Sequence, residues 1–356
     1  MNKVILTAPD LDGYLSAGDK DSIERLDALY SRALECFSSY RESAAGKETE
    51  QLIAVYNEIG LTLADICKHE HQIKVYSFAF AQSKMHHAEV SRIIAKLRDV
   101  RTPQAEFVYY IQRAYELLFH FAYNTGEDAQ KNYLIVKTPV REPQQNYAVH
   151  KISNIDGKLA NTVMCVLLRG ALLPSMIMSK EIQEFSSTGY VTPFALFKIK
   201  RDERKQEHNM EYILDLDTSY FNPDELDGKK LVFADPMNAT GGSLVGVIKY
   251  LQGQGIRPAS ISVFNAISAL KGSLRVIRAI ENCHLYTLWM DPILNTDAYI
   301  MPGLGDAGDR INGSDPADHA RNIIELLADY GSAIAVLYRA QLRQIEAAVL
   351  SSKEEP

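Results

Sequence analysis

Between positions 22 and 124 the apolar residues recur at the three- and four-residue spacing of amphipathic helices. One stripe is Leu26, Leu29, Tyr30, Ala33, Leu34 and Phe37; the next is Leu52, Tyr56, Ile59, Leu63 and Ile66; a third is Val90, Ile93, Ile94 and Leu97. Thr102 as cap and Pro103 at the first helical position open a fourth through Phe107, Ile111, Ala114, Leu118 and Phe121. Short connections predict that these helices pack as one antiparallel bundle. After Thr125-Gly126 the pattern changes, and short apolar runs at 163–168, 191–197, 212–214, 231–234, 261–264 and 284–288 alternate with helical stretches. That alternation predicts an α/β fold with a largely parallel sheet. A last helical stretch from Pro316 to about Leu350 aligns Ile323, Leu327, Tyr330, Ile334, Leu337, Leu342, Ile345 and Val349. The sequence thus divides into a helical domain at 1–124, an α/β domain at 125–315 and a helical extension at 316–356.

Composition narrows what such a protein can do. With 356 residues, 46% of them apolar, it buries a sizeable core. A net charge of −7 disfavours nucleic acid and anionic membrane surfaces, so any phosphate chemistry must be local. Cys36, Cys67, Cys165 and Cys283 show no CxxC spacing, which suits reduced thiols. There is no basic leader and no run of about 18 apolar residues, so a soluble, cytoplasmic protein is expected. Cys67 and His71 lie one helical turn apart and His86-His87 follow, but no second pair at ligand spacing accompanies them, and no metal site is expected there. The charged segment 198–210, KIKRDERKQEHNM, reads as a mobile loop.

Two motifs carry chemistry. The run 231–243, LVFADPMNATGGS, reads as a strand, a carboxylate, a tight turn and a glycine-rich helix start. Gly241 and Gly242, with the hydroxyls of Thr240 and Ser243, sit where unpaired backbone N–H groups and the helix dipole converge on a phosphate. The run has neither the Gly-Lys-Ser/Thr of a P-loop nor the GxGxxG of a dinucleotide fold. Asp235 can accept hydrogen bonds from two adjacent sugar hydroxyls, which points to a ribose phosphate, although the run alone also fits a plain tight βα turn. The second motif, YIMPGLGDAGDR at 299–310, packs three glycines and two aspartates together, so its backbone can approach a flat ligand closely. A pyrimidine such as uracil, with a ring N–H between two carbonyls, matches the N–H and carbonyl groups of a backbone.

Together, DPMxATGGS at 235–243 and YIxPGLGDAGDR at 299–310 resemble the uracil phosphoribosyltransferase family over about residues 130–313. The resemblance implies a type I phosphoribosyltransferase-like parallel sheet flanked by helices, with the N-terminal bundle and C-terminal helices as additions. It implies transfer of ribose 5-phosphate from phosphoribosyl pyrophosphate (PRPP) to a pyrimidine base, most simply uracil, giving UMP and pyrophosphate. The alternatives are a transferase for another base and a non-catalytic sensor of PRPP or nucleotide. By the same resemblance Asp235 holds the ribose hydroxyls, Ala239, Thr240, Gly241, Gly242 and Ser243 bind the 5′-phosphate, and Tyr299, Ile300, Gly305 and Asp306 meet the base, Asp306 also lying near the donor. The segment 167–171, LLRGA, resembles the family's pyrophosphate loop and makes Arg169 a pyrophosphate contact. Arg201, in RDE at 201–203, resembles the arginine of a flexible segment, with Lys198, Lys200 and Arg204 leaving other registers open. Closure of segment 198–210 over the site would exclude water. Mg²⁺ is the implied cofactor, carried mainly through PRPP, and a homo-oligomer, dimer or higher, is the implied assembly. The sequence departs from the family at Gly170, Asn238, 268–273, Trp289-Met290 and Asn312, departures that bear on the base.

Overall fold

Every position of 162–168 is buried, which suits a strand covered on both faces and explains why this run shows no polar alternation. The computed structural model describes residues 3–39, 46–79, 87–124, 131–313, 321–329 and 339–351. Thr125, Gly126, His86, Pro316, Tyr330, Ile334 and Leu337, which entered the sequence reading, lie outside them.

In sequence order the elements are β1 (Lys3–Thr7), α1 (Ala8–Asp12), α2 (Ala17–Ser39), α3 (Lys47–Lys68), β2 (Ile73–Ser77), α4 (His87–Arg98), α5 (Gln104–Tyr123), β3 (Lys131–Lys137) and β4 (Tyr147–Ser153). There follow α6 (Asp156–Leu159), β5 (Thr162–Leu168), α7 (Leu172–Phe185), β6 (Phe194–Arg201), β7 (Glu211–Tyr220), β8 (Lys230–Ala234), β9 (Met237–Asn238), α8 (Gly242–Gly253), β10 (Ser260–Ala269) and α9 (Leu270–Ala279). The last elements are β11 (Cys283–Asp291), β12 (Ile293–Leu294), β13 (Ile300–Met301), α10 (Ala307–Asn312), α11 (Ile323–Asp329) and a final helix, Arg339–Ser351.

The main sheet has the order β1-β7-β6-β5-β8-β10-β11-β2, with β9 added beside β10. Only β7 runs against the rest: it is antiparallel to both β1 and β6, whereas β6-β5-β8-β10-β11-β2 are parallel neighbours. The fold is therefore mixed α/β, a mostly parallel sheet flanked by helices. After β5 the backbone passes through α7 to β6 on one side, while β8 and β10 continue on the other. Right-handed crossovers then put α7 on one face and α8 and α9 on the opposite face. The reversal of direction opens a crevice at the carboxyl ends of β5 and β8, where open α/β sheets place their ligands.

All of the apolar runs expected as strands are strands, but segment 1–124 differs from the expected bundle. It contributes the two edge strands of the sheet, β1 paired with β7 and β2 paired with β11. Its helices divide into pairs: α2 and α3 pack together, with α2 against α9, while α4 and α5 pack together, with α5 against α7, β10 and β11. The physical reason is β2, which runs along the sheet edge between α3 and α4, so the helix pairs cover opposite faces. Thr102 does not cap α5; its hydroxyl donates to the Lys96 carbonyl, and Pro103 is the residue before the helix. Residues 198–201 belong to β6, and the rest of the segment expected to be a loop is a hairpin turn leading into β7. Glu207 in that turn pairs with Lys271 at 2.8 Å and with Arg275 at 2.8 Å on α9. The final helix lies against β6 and α7. Strands β3 and β4 form a separate two-stranded hairpin, with Tyr133, Ile135, Tyr147 and Val149 on one of its faces and exposed.

Candidate active site

A cavity of about 440 Å³ opens at the carboxyl ends of β5, β6 and β8, and the residues expected at the site converge on it from four stretches of sequence. Arg169 and Gly170 enter from the loop after β5, Lys200, Arg201 and Glu203 from the end of β6, Asp235 and 237–241 with Ser243 from the turn after β8, and 298–300 with 304–306 from the glycine-rich stretch.

The turn at 239–241, expected from the sequence as a phosphate cradle, forms because α8 starts immediately after a position that only glycine accommodates. Gly241 has φ of +76°, and a Cβ there would lie 2.7 Å from the Gly272 carbonyl oxygen. Thr240 Oγ1 accepts from the Gly242 N–H at 3.4 Å. Gly242 itself does not line the cavity, contrary to expectation. Its lack of a side chain serves packing, since a Cβ there would fall 2.2 Å from the Tyr212 ring.

Asp235 follows β8 and is partly exposed to the cavity. Burial pushes its carboxyl up to about 7, with Asp306 adding to the rise and the Met237 N–H, donated to Oδ1 at 3.2 Å, opposing it. Its backbone is fixed by Asn265, whose Nδ2 donates to the Asp235 carbonyl at 2.8 Å. Asn265 is buried, lines the cavity and gave no sequence signal, because a single amide within an apolar strand is indistinguishable from an ordinary satisfied polar residue.

The glycine-rich stretch is shaped by the short β12–β13 pairing, Ile293 opposite Met301 and Leu294 opposite Ile300. Asn295 Oδ1 accepts from the N–H groups of Asp297 at 3.0 Å and Tyr299 at 2.8 Å. Asp291 Oδ2 accepts from the Gly303 N–H at 3.1 Å, and Arg98 of α4 holds the same carboxylate at 2.6 Å. Arg310 donates to the carbonyls of Leu304 and Asp99, both at 2.9 Å, and also to that of Leu97. The end of α4 therefore anchors this stretch at two points. Asp306 caps α10 by accepting from the Asp309 N–H at 3.0 Å while its side of the loop faces the cavity.

The cationic residues are committed to local partners. Arg169 pairs with Asp309 at 3.0 Å across the mouth. Arg201 donates to the Ala298 carbonyl at 3.2 Å and lies over the Tyr299 ring. Lys200 lines the cavity, whereas Lys198 and Arg204 do not, and Arg204 pairs with Asp202. Trp289 and Met290 also stay out of the cavity: Trp289 packs against His87 and Arg98, and Met290 is buried. Asn238 does line it and donates to Ser273 Oγ at 3.4 Å, whereas Asn312 is buried on the Gly308 carbonyl. Glu203 and Asp309, neither of them singled out from the sequence, complete an oxygen-rich lining with Asp235 and Asp306.

Comparison with known proteins covers all of these loops. The family model for uracil phosphoribosyltransferase matches residues 84–314, starting well before the 130 or so at which the motifs resemble the family, so α4, α5 and the β3–β4 hairpin fall inside it. Uracil phosphoribosyltransferase of Corynebacterium diphtheriae is 46% identical over 91 residues, 26% of this chain and 42% of its own length. That of Caldanaerobacter subterraneus subsp. tengcongensis is 31% identical over 228 residues, 64% of this chain and 95% of its own. Among solved structures, the AQ2163 protein from Aquifex aeolicus aligns with a TM-score of 0.45 and 22% identity, covering 64% of this chain and 96% of that one. No helix among the described residues is long and apolar enough to cross a membrane. Since the match takes in nearly two thirds of the sequence, from the helix that anchors the glycine-rich stretch through the phosphate cradle, this chain belongs to the uracil phosphoribosyltransferase family, a family of pentosyltransferases.

Proposed function

We propose that the protein transfers ribose 5-phosphate from PRPP to a pyrimidine base, uracil, releasing pyrophosphate and forming UMP. The observation that carries this reading is the shared cavity: a carboxylate, a helix-start cradle and a glycine-rich stretch face one another across it. The 5′-phosphate sits on the N–H groups of 239–241 and Ser243, with Ser243 adding a hydroxyl. Asp235, once ionised, accepts from the ribose hydroxyls and orients C1. The bond from C1 to the pyrophosphate oxygen breaks as the base nitrogen bonds to C1, through an oxocarbenium-like state, and the proton lost by that nitrogen passes to the departing pyrophosphate. Arg169, Lys200 and Arg201 meet the charge that grows on the leaving pyrophosphate, an effect worth several kcal/mol in dry sites. Backbone groups of Ile300 and Gly305 read the edge of the base, and Tyr299 covers it.

Mg²⁺ would be carried mainly by the oxygens of PRPP, because no three His, Cys, Asp or Glu side chains among the described residues are grouped to hold a metal ion by themselves. Asp235 and Asp306 would hold the ion with the donor, where it neutralises pyrophosphate charge. A cytoplasmic location suits a phosphorylated donor of this kind. The exposed apolar face of the β3–β4 hairpin suits a homodimer contact, because a lone two-stranded ribbon is only marginally stable in water.

The test is base-dependent release of pyrophosphate from PRPP across a panel of pyrimidines and purines. Activity with uracil is expected; no turnover and no donor binding with any base would sink the reading. A different base is favoured by one observation, Asn238 lining the cavity where the family usually has leucine, and the same panel decides it.

A further inference from the structure

The first 83 residues lie outside the family match, yet they reach the phosphate cradle from behind. Arg275 on α9 is fully buried. Its Nε and Nη2 donate to Asp12 Oδ1, at the end of α1, at 2.9 and 2.6 Å. Nη2 also lies 2.8 Å from Glu207 in the β6–β7 turn, and Nη1 donates to the Thr240 carbonyl at 3.4 Å. A Cβ at Gly272, one turn earlier on α9, would fall 2.1 Å from the Ala239 carbonyl oxygen, so helix backbone rests directly on the cradle.

We propose that Arg275, held in place by Asp12 of the N-terminal segment, is a positioning residue for the loop that binds the donor's 5′-phosphate. This rests on the functional reading given above. In a planar trans peptide the carbonyl and the next N–H point in opposite directions. A guanidinium fixed on the Thr240 carbonyl therefore turns the Gly241 N–H away from itself, toward the side on which Thr240 and Gly241 line the cavity. Arg275 and Lys271 face Asp12 and Glu207, so the cluster is balanced in charge and acts by orientation rather than by attraction. A planar fork serves the Asp12 carboxylate and the Thr240 carbonyl at once; a lysine is a single point donor.

A matched control exists on the same helix. Arg278 pairs with Asp19 and Glu70, tying α9 to the same N-terminal segment without touching the loop. The experiment uses the full-length protein and measures KM for PRPP, KM for the base, and calorimetric affinity for ribose 5-phosphate. Asp12→Asn and Arg275→Lys should each raise KM for PRPP and weaken ribose 5-phosphate binding about tenfold, the scale of one charge-assisted hydrogen bond, with KM for the base unchanged. Arg278→Gln should lower the melting temperature and leave donor affinity intact. Unchanged donor affinity in Asp12→Asn, whose side chain is 35% exposed and whose amide oxygen still accepts from Arg275, overturns the proposal. So does an equal loss of donor affinity in Arg278→Gln. A wild-type protein that binds neither PRPP nor ribose 5-phosphate would instead overturn the functional reading.

Discussion

Asp235 is the residue whose chemistry depends most on its surroundings. On the proposed reading its carboxyl must be ionised to accept hydrogen bonds from ribose, yet burial raises it from 3.8 to about 7. Donor capture should therefore strengthen as pH rises through about 7, visible as kcat/KM for PRPP climbing to a plateau. Asp235→Asn should flatten that profile and lower kcat/KM by roughly 10- to 100-fold, the scale of losing a hydrogen bond to a charged group. The sign for folding is opposite. The ligand-free folded protein binds this proton more tightly than the unfolded one, so the group's contribution to stability is present at low pH and lost as pH rises from 3.8 to about 7. Denaturant melts of wild type and Asp235→Asn across that window check it: the Asn variant should lose less stability with rising pH, and parallel curves would refute the shift. Gly242 provides a steric test, since a Cβ there meets the Tyr212 ring at 2.2 Å. Gly242→Ala should destabilise by about 1–3 kcal/mol, and by less in a Tyr212→Leu background, where the overlap is relieved. Additive losses in the double variant would assign the constraint elsewhere.

At the scale of elements, the sheet owes both its edges to segment 1–124. Strand β1 covers β7 and β2 covers β11, and an uncovered edge invites pairing with other molecules. The same segment supplies Asp12, Asp19 and Glu70 to Arg275 and Arg278, so its removal leaves α9 with cations robbed of their partners. A truncated protein lacking residues 1–79 should aggregate on light scattering and lose its cooperative melt. A monodisperse, cooperatively melting truncation would show that the edges tolerate exposure. The turn between β6 and β7 behaves differently from a free lid, because Glu207 fastens it to Lys271 and Arg275. Charge density in 198–210 reads as solvation when the sequence is taken alone; folded, Arg204 pairs with Asp202 and Lys205 with Glu211 close by, and Glu207 reaches α9. Sequence periodicity found the helices of this segment but not β1 or β2. Each is only five residues long, and neither shows a pattern distinct from the flanking helices.

For the whole molecule, assembly is tested on the hairpin. On the proposed homodimer contact, replacing Ile135 and Val149, which face each other across the hairpin, by lysine should lower the mass seen in light scattering to that of one copy while the melt of the main sheet stays unchanged. An unaltered mass would place the interface elsewhere. Much of the molecule was legible beforehand. The runs at 163–168 and 231–234 mark parallel strands because a strand covered on both faces has to be apolar throughout, and DPMNATGGS and YIMPGLGDAGDR converge on one cavity, with glycines where backbone packs closely. Those are local requirements, met by residue types in a fixed order, and one sequence states them directly. Tertiary structure alone decided what depends on residues far apart in the sequence: Asn265 beneath Asp235, Arg98 and Arg310 behind the glycine-rich stretch, Asp12 on Arg275 behind the turn at 239–241, and the exclusion of Trp289 from the cavity. No spacing rule links positions 12, 207, 240 and 275, because the distance that joins them is set by the crossovers of the sheet and by the N-terminal segment wrapping its edges.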